Sequence, residues 1–422
     1  MKETTTIYRP TLKAIEAAAE KLKGIASVTP LTKNGRYSKH FGANIYFKRE
    51  DLQEVRSYKI RGAYNKISSL SASQTENEIV CASAGNHAQG VALSCKLLKI
   101  KGTIYMPSPT PNQKIEQVKM FGEDYIDVIL VGDSFDDAYH AALEESESLN
   151  KTFIHPFNDE KVIEGQATVG LEIIDQAKEH PIHYVFVPVG GGGLAAGLSS
   201  AFKILSPQTK IISVEPKGAS AMLNSIRNNR NITLNKIDNF VDGAAVKRVG
   251  DLNFAICKET LHRVVEVDEG KICQTILDLY NKDAIVVEPA GALSLCALEQ
   301  FSEEIKGKNV VCVISGSNND ITRTAEIKER ALLYANLKHY FIVKFPQRTG
   351  ALRDFVVDIL GPTDDITHFE YTKKANREND VAVVGLELKH PDDLEPLITK
   401  MKLHNFYGDY LNDKPDLFQF LV

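Results

Sequence analysis

Four consecutive glycines stand between an apolar run that the sequence predicts to be a strand and a run that it predicts to be a helix. Residues 184–189 form the apolar run, residues 190–193 are all glycine, and the helical pattern continues beyond Leu194. Glycine has no Cβ, so successive backbone N–H groups can converge on an anion, and the helix start adds partial positive charge. The segment therefore predicts a phosphate site. A flexible glycine turn is the alternative, because neither common nucleotide-binding pattern is present.

One lysine lies in an aromatic and cationic context that suits covalent chemistry. Lys59 follows Tyr58 and precedes Arg61, a short distance beyond a predicted strand. Desolvation and neighbouring cations favour the neutral, nucleophilic amine, which can form a Schiff base with an aldehyde cofactor. Taken alone, Lys59 is more readily interpreted as one more solvated lysine, so its assignment depends on the phosphate site.

Small hydrogen-bonding residues follow two more predicted strands. Ser83, Ala84, Gly85 and Asn86 come after strand 79–82, and Ser315 follows strand 310–314. For any one such loop, an ordinary helix N-cap is the alternative. In open α/β sheets, however, ligands bind at the carboxyl ends of strands. Three such loops together predict one shared site.

The elements that position these loops are short β-rich runs that alternate with amphipathic helical runs. Such alternation predicts an α/β fold with largely parallel sheets covered on both faces. The predicted strands are 44–48, 79–82, 103–106, 127–131, 185–189, 211–214 and 310–314, and the predicted helices between them include 111–121 and 134–148.

Composition excludes several classes of protein. The chain has 422 residues, 43% of them hydrophobic and 25% charged, which is ordinary for a folded globular protein. Its net charge is −5 with no basic block, so we expect no nucleic-acid and no membrane partner. Neither a signal peptide nor a membrane-spanning run is predicted, which favours a cytoplasmic location. The six cysteines form no C-x-x-C pair and are expected to be reduced and packed.

Five segments, in this order, give the chain a specific resemblance to fold-type II pyridoxal-phosphate enzymes and, within them, to the threonine dehydratases. The resemblance covers residues from about 20 to 330. Its motifs are residues 57–63, 83–90, 190–194, 288–292 and 315–316.

The resemblance implies pyridoxal 5'-phosphate as the cofactor, with Lys59 as its imine-forming lysine and the later proton-transfer base. Asn86 would contact the oxygen of the cofactor's ring hydroxyl, and Ser315 its pyridine nitrogen. The cofactor phosphate would be held by Gly190, Gly191, Gly192, Gly193 and Leu194. The substrate carboxylate would be received by Ser83, Ala84, Gly85 and Asn86.

The implied reaction is the dehydration and deamination of L-threonine to 2-oxobutanoate and ammonia, and of L-serine to pyruvate. This threonine reaction would be the first committed step of isoleucine biosynthesis. A hydroxyl at the pyridine nitrogen cannot hold a proton there as an aspartate does, which favours prompt β-elimination.

Two departures from the family pattern stand out. Ser317 replaces a glycine that is common in the family, and its hydroxyl either tightens the loop or faces solvent. Serine racemase relatives bind a cation through a Glu-x-x-x-Ala-x-Asp arrangement. Here Glu215 and Ala219 fit that arrangement, but Ala221 stands where the acid is expected. We therefore predict no metal site.

A different pattern begins after a predicted connector, residues 329–338. The catalytic domain is predicted at 1–328, with a small subdomain at about 52–160, and a regulatory domain at 339–422. Within the latter, the order is strand, helix, two strands, helix, strand, which predicts an α+β ferredoxin-like fold. It resembles the ACT-like regulatory domain of biosynthetic threonine dehydratases. The predicted elements are 339–345, 350–360, 366–371, 381–388, 394–403 and a last strand at 417–422.

Only one such unit fits, so regulation is expected to need pairing between subunits, because a sheet edge would otherwise stay unpaired. The resemblance implies isoleucine as inhibitor, valine as activator and a homotetramer. Residues 346–352 form the turn expected near an effector, although they could equally just begin a helix. A catabolic serine/threonine dehydratase, a serine racemase and an amino-acid sensor without activity are the alternatives.

Overall fold

Three β-sheets organise the chain in the computed structural model, which describes residues 8–372, 379–414 and 416–418. The residues divide into two units, Met1–Ile321 and Thr322–Val422. The strands are β1 Leu31–Lys33, β2 Asn44–Arg49, β3 Ile79–Ala82, β4 Gly102–Met106, β5 Ile126–Leu130, β6 Thr152–Phe153, β7 Tyr184–Pro188, β8 Lys210–Pro216, β9 Arg263–Val267, β10 Asn309–Ile314, β11 Lys338–Pro346, β12 Asp365–Thr372, β13 Asn379–Glu387 and β14 Tyr407–Tyr410.

Helices alternate with most of these strands. The α-helices are α1 Leu12–Lys21, α2 Gly35–Phe41, α3 Lys59–Ile67, α4 Ala72–Thr75, α5 Asn86–Leu98, α6 Asn112–Gly122, α7 Phe135–Ser148, α8 Glu160–Gln176, α9 Gly193–Leu205, α10 Ala221–Arg227, α11 Asp251–Thr260, α12 Glu269–Asp283, α13 Pro289–Cys296, α14 Ser302–Ile305, α15 Thr324–Tyr334, α16 Ala351–Asp354 and α17 Leu394–Leu403. Short 3-10 helices are Glu50–Leu52, Glu123–Tyr125, Lys217–Ala219, Ala297–Phe301, Ile321–Arg323 and Pro391–Asp393, and Phe355–Ile359 is a π-helical turn. Among the described residues, no helix is both long and apolar enough to span a bilayer.

The first unit holds two sheets. One has six strands in the order β1-β2-β10-β7-β8-β9, all parallel to their neighbours except β1. The other has four parallel strands in the order β5-β4-β3-β6. The strands β3, β4 and β7 are buried along their whole length, as expected for parallel sheets covered on both faces. The predicted α/β fold with mostly parallel sheets is confirmed.

The loops that the sequence singles out lie at the carboxyl ends of these buried strands. The strands β7 and β10 are neighbours in the larger sheet, so the loop after residue 188 and the loop after residue 314 leave the same edge. The loop at Ser83 follows β3 in the smaller sheet. The two sheets therefore supply the parts of the predicted site from different layers.

Helix α3 is held at its start by a buried ion network. The Arg61 guanidinium, 1% exposed, donates to Glu50 Oε2 at 2.8 Å and to Glu172 Oε1 at 2.6 Å. Glu50 follows β2 and Glu172 lies on α8, so one side chain ties three elements together. An added Cβ on Gly165 would overlap the Arg61 carbonyl oxygen, so α8 can approach α3 this closely only because residue 165 is glycine. The network therefore fixes the helix turn that begins with Lys59.

The second unit is an antiparallel sheet in the order β12-β13-β11-β14, with α16, the π-helical turn and α17 contributing to one core. The chain order of these elements confirms the predicted ferredoxin-like arrangement. The last predicted strand, 417–422, is wrong. The fourth strand is Tyr407–Tyr410, and residues 416–418 are helical. Residues 419–422 lie outside the described residues.

The boundary between the two units falls after Ile321 in the chain. Helix α15 covers most of the segment that the sequence predicts as a connector. The bounds 1–328, 329–338 and 339–422 stay a prediction.

Candidate active site

Lys59 is the first residue of α3 and is partly buried. Its Nζ donates to the Pro156 carbonyl oxygen at 2.9 Å and lies 5.6 Å from the centre of the Tyr58 ring. Burial lowers the pKa of this amine to about 8, while the charge of Glu288 opposes the shift. About a tenth of the amine is therefore neutral at pH 7, far more than for an ordinary lysine, and the neutral amine is the nucleophile.

Two buried histidines lie near this amine. Burial lowers the pKa of His87 to about 3, and the Lys59 charge adds to the shift. Burial also lowers the pKa of His155 to about 4, with a further contribution from Lys59. His155 Nδ1 accepts the N–H of Phe157 at 3.2 Å, so the proton of the neutral ring lies on Nε2. Both rings are neutral at physiological pH and add no competing positive charge.

The glycine loop is enclosed so tightly that no other residue fits at three of its positions. A Cβ on Gly190 would lie 2.9 Å from Ala244 Cα, and a Cβ on Gly191 would collide with the Phe157 ring. Gly192 has φ of +92°, and its Cβ would lie 2.9 Å from Asn253 Cβ. Bare backbone is therefore required at these three positions, which allows their N–H groups to face an anion.

The carbonyl side of the loop is bound to protein. Asn253 Nδ2 donates to Gly191 O at 2.7 Å and to Phe157 O at 3.1 Å, and Gly250 N donates to the same Gly191 oxygen at 3.1 Å. Helix α9 begins at Gly193, and the first N–H groups of any helix have no acceptor within it. The predicted phosphate donors, Gly190 to Gly193 and Leu194, thus sit in a cradle that fits the phosphate of the implied cofactor.

The loop after β3 leads directly into α5, which begins at Asn86. Ser83 N donates to Tyr105 O at 3.0 Å, and Gly85 N donates to Ser83 Oγ at 3.3 Å. Of the groups predicted to receive the substrate carboxylate, the N–H of Ser83 is thus occupied within the sheet. The Ser83 hydroxyl proton and the backbone around Ala84 are the donors that fit the prediction.

Asn86 is bonded on both sides of its amide. Its Nδ2 donates to Glu288 Oε1 at 2.7 Å, and its Oδ1 accepts from Asn318 Nδ2 at 2.6 Å. Burial, strengthened by the charge of Asp242, raises the pKa of Glu288 to about 7. Residues 288–292 carry part of the resemblance, but the sequence alone assigned Glu288 no role.

Ser315 is buried at the end of β10, and its Oγ lies 3.4 Å from Ala290 O. Its carbonyl oxygen accepts Tyr58 N at 3.2 Å, which joins this loop to the residue before Lys59. Ser317 Oγ donates to Asp51 O at 3.2 Å. Of the two readings of Ser317, the structure thus supports tightening of the loop.

Contacts join the predicted residues into one site. Pro156 receives the Lys59 amine, and the next residue, Phe157, packs on Gly191. Sequence reasoning missed Pro156, Phe157 and Asn253, which come from a short irregular segment and from a helix. No local signal marked these residues, because the Pro–Phe pair follows the short strand β6, which the sequence did not predict.

The acids near the family's cation site are engaged elsewhere. Glu215 accepts the N–H groups of Met222 and Leu223, both at 2.8 Å, and burial raises its pKa to about 8. Among the described residues, no three His, Cys, Asp or Glu side chains form a group that could hold a metal ion. The absence of a metal site stays a prediction.

Two family models match the chain. The model of pyridoxal-phosphate dependent enzymes matches residues 22–316, and that of the C-terminal regulatory domain of threonine dehydratase matches residues 329–421. The L-threonine dehydratase biosynthetic IlvA of Bacillus subtilis (strain 168) is 52% identical over 422 residues, which cover 100% of this chain and 99% of that protein. Its namesake in Staphylococcus aureus (strain NCTC 8325) is 51% identical over 413 residues, 97% of this chain and 98% of that protein.

Solved structures agree with this. The processed form of threonine deaminase isoform 2 from Solanum lycopersicum has a TM-score of 0.73 and 41% identity, and the match covers 76% of this chain and 88% of that one. Maize serine racemase has a TM-score of 0.71 and 30% identity, with 78% of this chain and 99% of that one covered. Nearly the whole racemase is thus matched by only part of this chain.

Proposed function

We propose a role for each site residue from the premise that the chain belongs to the pyridoxal-phosphate-dependent enzymes. Within them it belongs to the threonine dehydratases with a C-terminal regulatory domain. The enzyme is a lyase that converts L-threonine to 2-oxobutanoate and ammonia, and L-serine to pyruvate. One observation supports the account: the Lys59 amine, whose pKa burial lowers to about 8, contacts Pro156, and the next residue, Phe157, packs on Gly191 of the glycine loop.

Bound pyridoxal phosphate supplies an electron-withdrawing ring that stabilises negative charge at the substrate Cα. Lys59 Nζ would hold the cofactor and later remove the Cα proton, for which a pKa lowered to about 8 is well matched. The N–H groups of Gly190 to Gly193 and of Leu194 would hold the phosphate.

The other predicted residues would orient the reactants. Asn86 would donate to the ring hydroxyl oxygen, and Ser315, held at a buried strand end, would face the ring nitrogen with a hydroxyl. The Ser83 hydroxyl and the backbone of Ala84 and Gly85 would bind the substrate carboxylate, with Asn86 at the edge of the same loop. Together these donors would hold the substrate with its Cα proton near Lys59. Such positioning is the main contribution of a site of this kind to the reaction.

The biosynthetic function is favoured over the catabolic and racemase alternatives by the regulatory domain matched at residues 329–421. In the first step of isoleucine formation, product feedback needs a second amino-acid site. We therefore propose isoleucine as inhibitor and valine as activator, with the turn at residues 346–352 as their contact. A homotetramer and a cytoplasmic location complete the proposal.

The test follows keto-acid release from threonine and serine by the full-length protein, with and without isoleucine. We expect release from both substrates and inhibition by isoleucine. Borohydride reduction followed by mass spectrometry should place the cofactor adduct on Lys59. In Lys59→Ala we expect turnover to fall by at least about 10³-fold with the fold retained. Near-normal turnover in that variant would overturn the mechanism, and lack of response to isoleucine would remove the effector proposal alone.

A further inference from the structure

We propose that Glu288 is a positioning residue for this reaction. It holds the Asn86 amide in a single orientation, and its negative charge favours the protonated state of the nitrogen of Lys59. The inference deepens the proposed function and rests on it, because Asn86 and Lys59 matter only if the cofactor binds between them.

The first argument is the geometry of the Asn86 amide. One of its two N–H groups donates to Glu288 Oε1 at 2.7 Å, and its oxygen accepts Asn318 Nδ2 at 2.6 Å. Asn318 Nδ2 also lies 2.9 Å from Val55 O and 2.7 Å from Gln89 Oε1. The Val55 carbonyl oxygen can only accept, so the nitrogen of Asn318 must face it, and its two N–H groups are shared among the three oxygens. That fixes Asn86 with its oxygen toward Asn318 and its nitrogen toward Glu288.

The consequence is one free N–H with a fixed direction. An asparagine amide has two N–H donors, and Glu288 occupies one of them. The second N–H is therefore aimed by the clamp without help from the ligand. A preorganised donor of this kind loses no rotational freedom when the cofactor binds.

The backbone holds Glu288 equally firmly. Its N–H donates to Gly316 O at 3.2 Å, and its carbonyl oxygen accepts Gly291 N at 2.9 Å at the start of α13. A Cβ on Gly316 would lie 2.5 Å from Glu288 Oε1, and one on Gly243 would lie 3.5 Å from it. Gly316 thus leaves the space that the carboxylate fills, and Glu288 is 5% exposed.

The second argument is electrostatic. The titratable and charged groups that face Glu288 are Lys59, Asp242 and Lys114, and His87 and His155 face Lys59. The histidines are neutral above pH 5, so Glu288 is the acid that acts on the amine. Two opposite charges in a poorly hydrated site stabilise each other more strongly than in water. The Glu288 charge is present above its pKa of about 7, and in that range its loss shifts the Lys59 nitrogen toward the neutral state.

The experiment uses the full-length holoenzyme and its cofactor-free form. Absorbance between pH 6 and 10 follows the titration of the nitrogen that links Lys59 to the cofactor. In Glu288→Gln, which keeps the shape but not the charge, we expect that titration to move down by about one pH unit. Glu215→Gln, which also removes a buried carboxylate but one that contacts Met222 and Leu223, should leave the titration in place.

A second readout is the dissociation constant of pyridoxal phosphate, measured by adding it to the cofactor-free protein. We expect Glu288→Ala and Asn86→Ala each to weaken binding by about tenfold, and the double variant to be at most about threefold worse than Asn86→Ala, because both act through one amide. Asn318→Ala releases the clamp but keeps the charge. It should weaken binding without moving the titration.

Two results would overturn the inference: an unshifted titration in Glu288→Gln, or losses that multiply in the double variant. If Glu288→Gln fails to fold by circular dichroism, Asn318→Ala decides through its cofactor affinity, and unchanged affinity there would also overturn it. Failure of the proposed function is a different result, namely that borohydride leaves no cofactor on Lys59 in the unaltered protein.

Discussion

Two glycine turns in this chain have nearly the same backbone but opposite surroundings. Gly192 has φ of +92° and ψ of −4°, and Gly350 has φ of +88° and ψ of −9°. Each caps the start of a helix. A Cβ on Gly192 would lie 2.9 Å from Asn253 Cβ, whereas a Cβ on Gly350 would have only Arg348 Nη1 near it, at 4.0 Å. The left-handed glycine is thus common to both turns, and only the packing around it differs.

The two turns therefore differ in how far the surrounding packing fixes them. At the catalytic turn, packing and hydrogen bonds fix the loop before any ligand arrives, which is how a cofactor site avoids an ordering cost. At Gly350, by contrast, an added Cβ would meet only Arg348 Nη1 among the described residues. The effector contact proposed at this turn would therefore displace no packed atoms at that position.

The largest expected effect comes from Gly191→Ala. The new methyl group would collide with the Phe157 ring, so either the ring or the loop must move. We expect the dissociation constant of pyridoxal phosphate to rise at least about 100-fold, close to 3 kcal/mol, in the range of a badly overpacked core. Titration of the cofactor-free protein measures it. Gly193→Ala is the matched control, because its Cβ would lie 3.3 Å from Phe157, and a loss as large there would show that collision is not the cause.

The pair Gly192→Ala and Gly350→Ala tests the two turns directly. Both variants force alanine into positive φ, which costs about 1–2 kcal/mol. Only the first adds a steric collision, so we expect it to destabilise its unit by about 3 kcal/mol and Gly350→Ala by about 1 kcal/mol. Calorimetry of the full-length protein measures both melting transitions. Equal losses would mean that backbone strain alone distinguishes these positions from ordinary ones.

Much of the fold followed from periodicity in the sequence. Strand 79–82 and helix 394–403 have the predicted bounds, and the other predicted strands of the first unit agree within one or two residues at each end. Four observed strands were not predicted: β1, β6 and β9 of the first unit and β14 of the second. The last of these is instructive. The strand at Tyr407–Tyr410 contains Gly408, whose Cβ would overlap Ile342 O, so glycine here permits close pairing at a register shift instead of a turn. No pattern within those four residues indicates that partner.

The site was predicted as far as its strand-end loops. Lys59, Asn86, the glycines and Ser315 could be named because each lies in a local motif. Phe157, Asn253 and Asn318 could not, because their importance arises from contacts across 34 residues or more, as between Phe157 and Gly191. Local sequence does not encode such distances. A buried carboxylate such as Glu288 is evident only when its surroundings are known.

Glu215 should make the first unit less stable as pH rises above about 6.5, where His87 and His155 are neutral in both folded and unfolded chains. His339 should make the second unit less stable as pH falls. Glu215 in the first unit has a raised pKa of about 8, so its contribution is present below its unfolded pKa and is lost as pH rises toward 8. His339 in the second unit is buried, and burial lowers its pKa, so stability is lost as pH falls below its ordinary value near 6.5. Near the relevant pH, one such group changes stability by about 1.4 kcal/mol per pH unit at most.

Calorimetry between pH 5 and 9 separates these two effects. We expect the first unit to melt lower as pH rises from about 6.5 to 8, by roughly 2–4 °C per pH unit, to level off above 8, and Glu215→Gln to reduce that slope. The second unit should melt lower as pH falls from 7 to 5, and His339→Gln should reduce that slope. If both units shift in the same direction, groups other than these buried ones dominate.

The smallest effect concerns charges at the rim of the catalytic loop. Ala244, in the segment between α10 and α11, packs against Gly190. Two ion pairs join this segment to helices α6 and α7. Lys247 Nζ lies 2.9 Å from Asp136 on α7, with side chains 48% and 57% exposed, and Asp242 pairs with Lys114 on α6. Exposed pairs contribute about 0.2–1 kcal/mol and are screened by salt.

If packing encloses the loop, these charges are nearly dispensable. The double variant Lys114→Gln with Lys247→Gln should change the dissociation constant of pyridoxal phosphate by less than about threefold. Salt at about 0.5 M screens exposed ion pairs, so adding it to the unaltered protein should have an effect of the same size. Lys306→Gln, which breaks an exposed pair with Glu303 on α14, is the control. A loss of about 30-fold or more, with the control unchanged, would mean that the catalytic turn is closed by charge. The two glycine turns would then differ in electrostatics and not in packing.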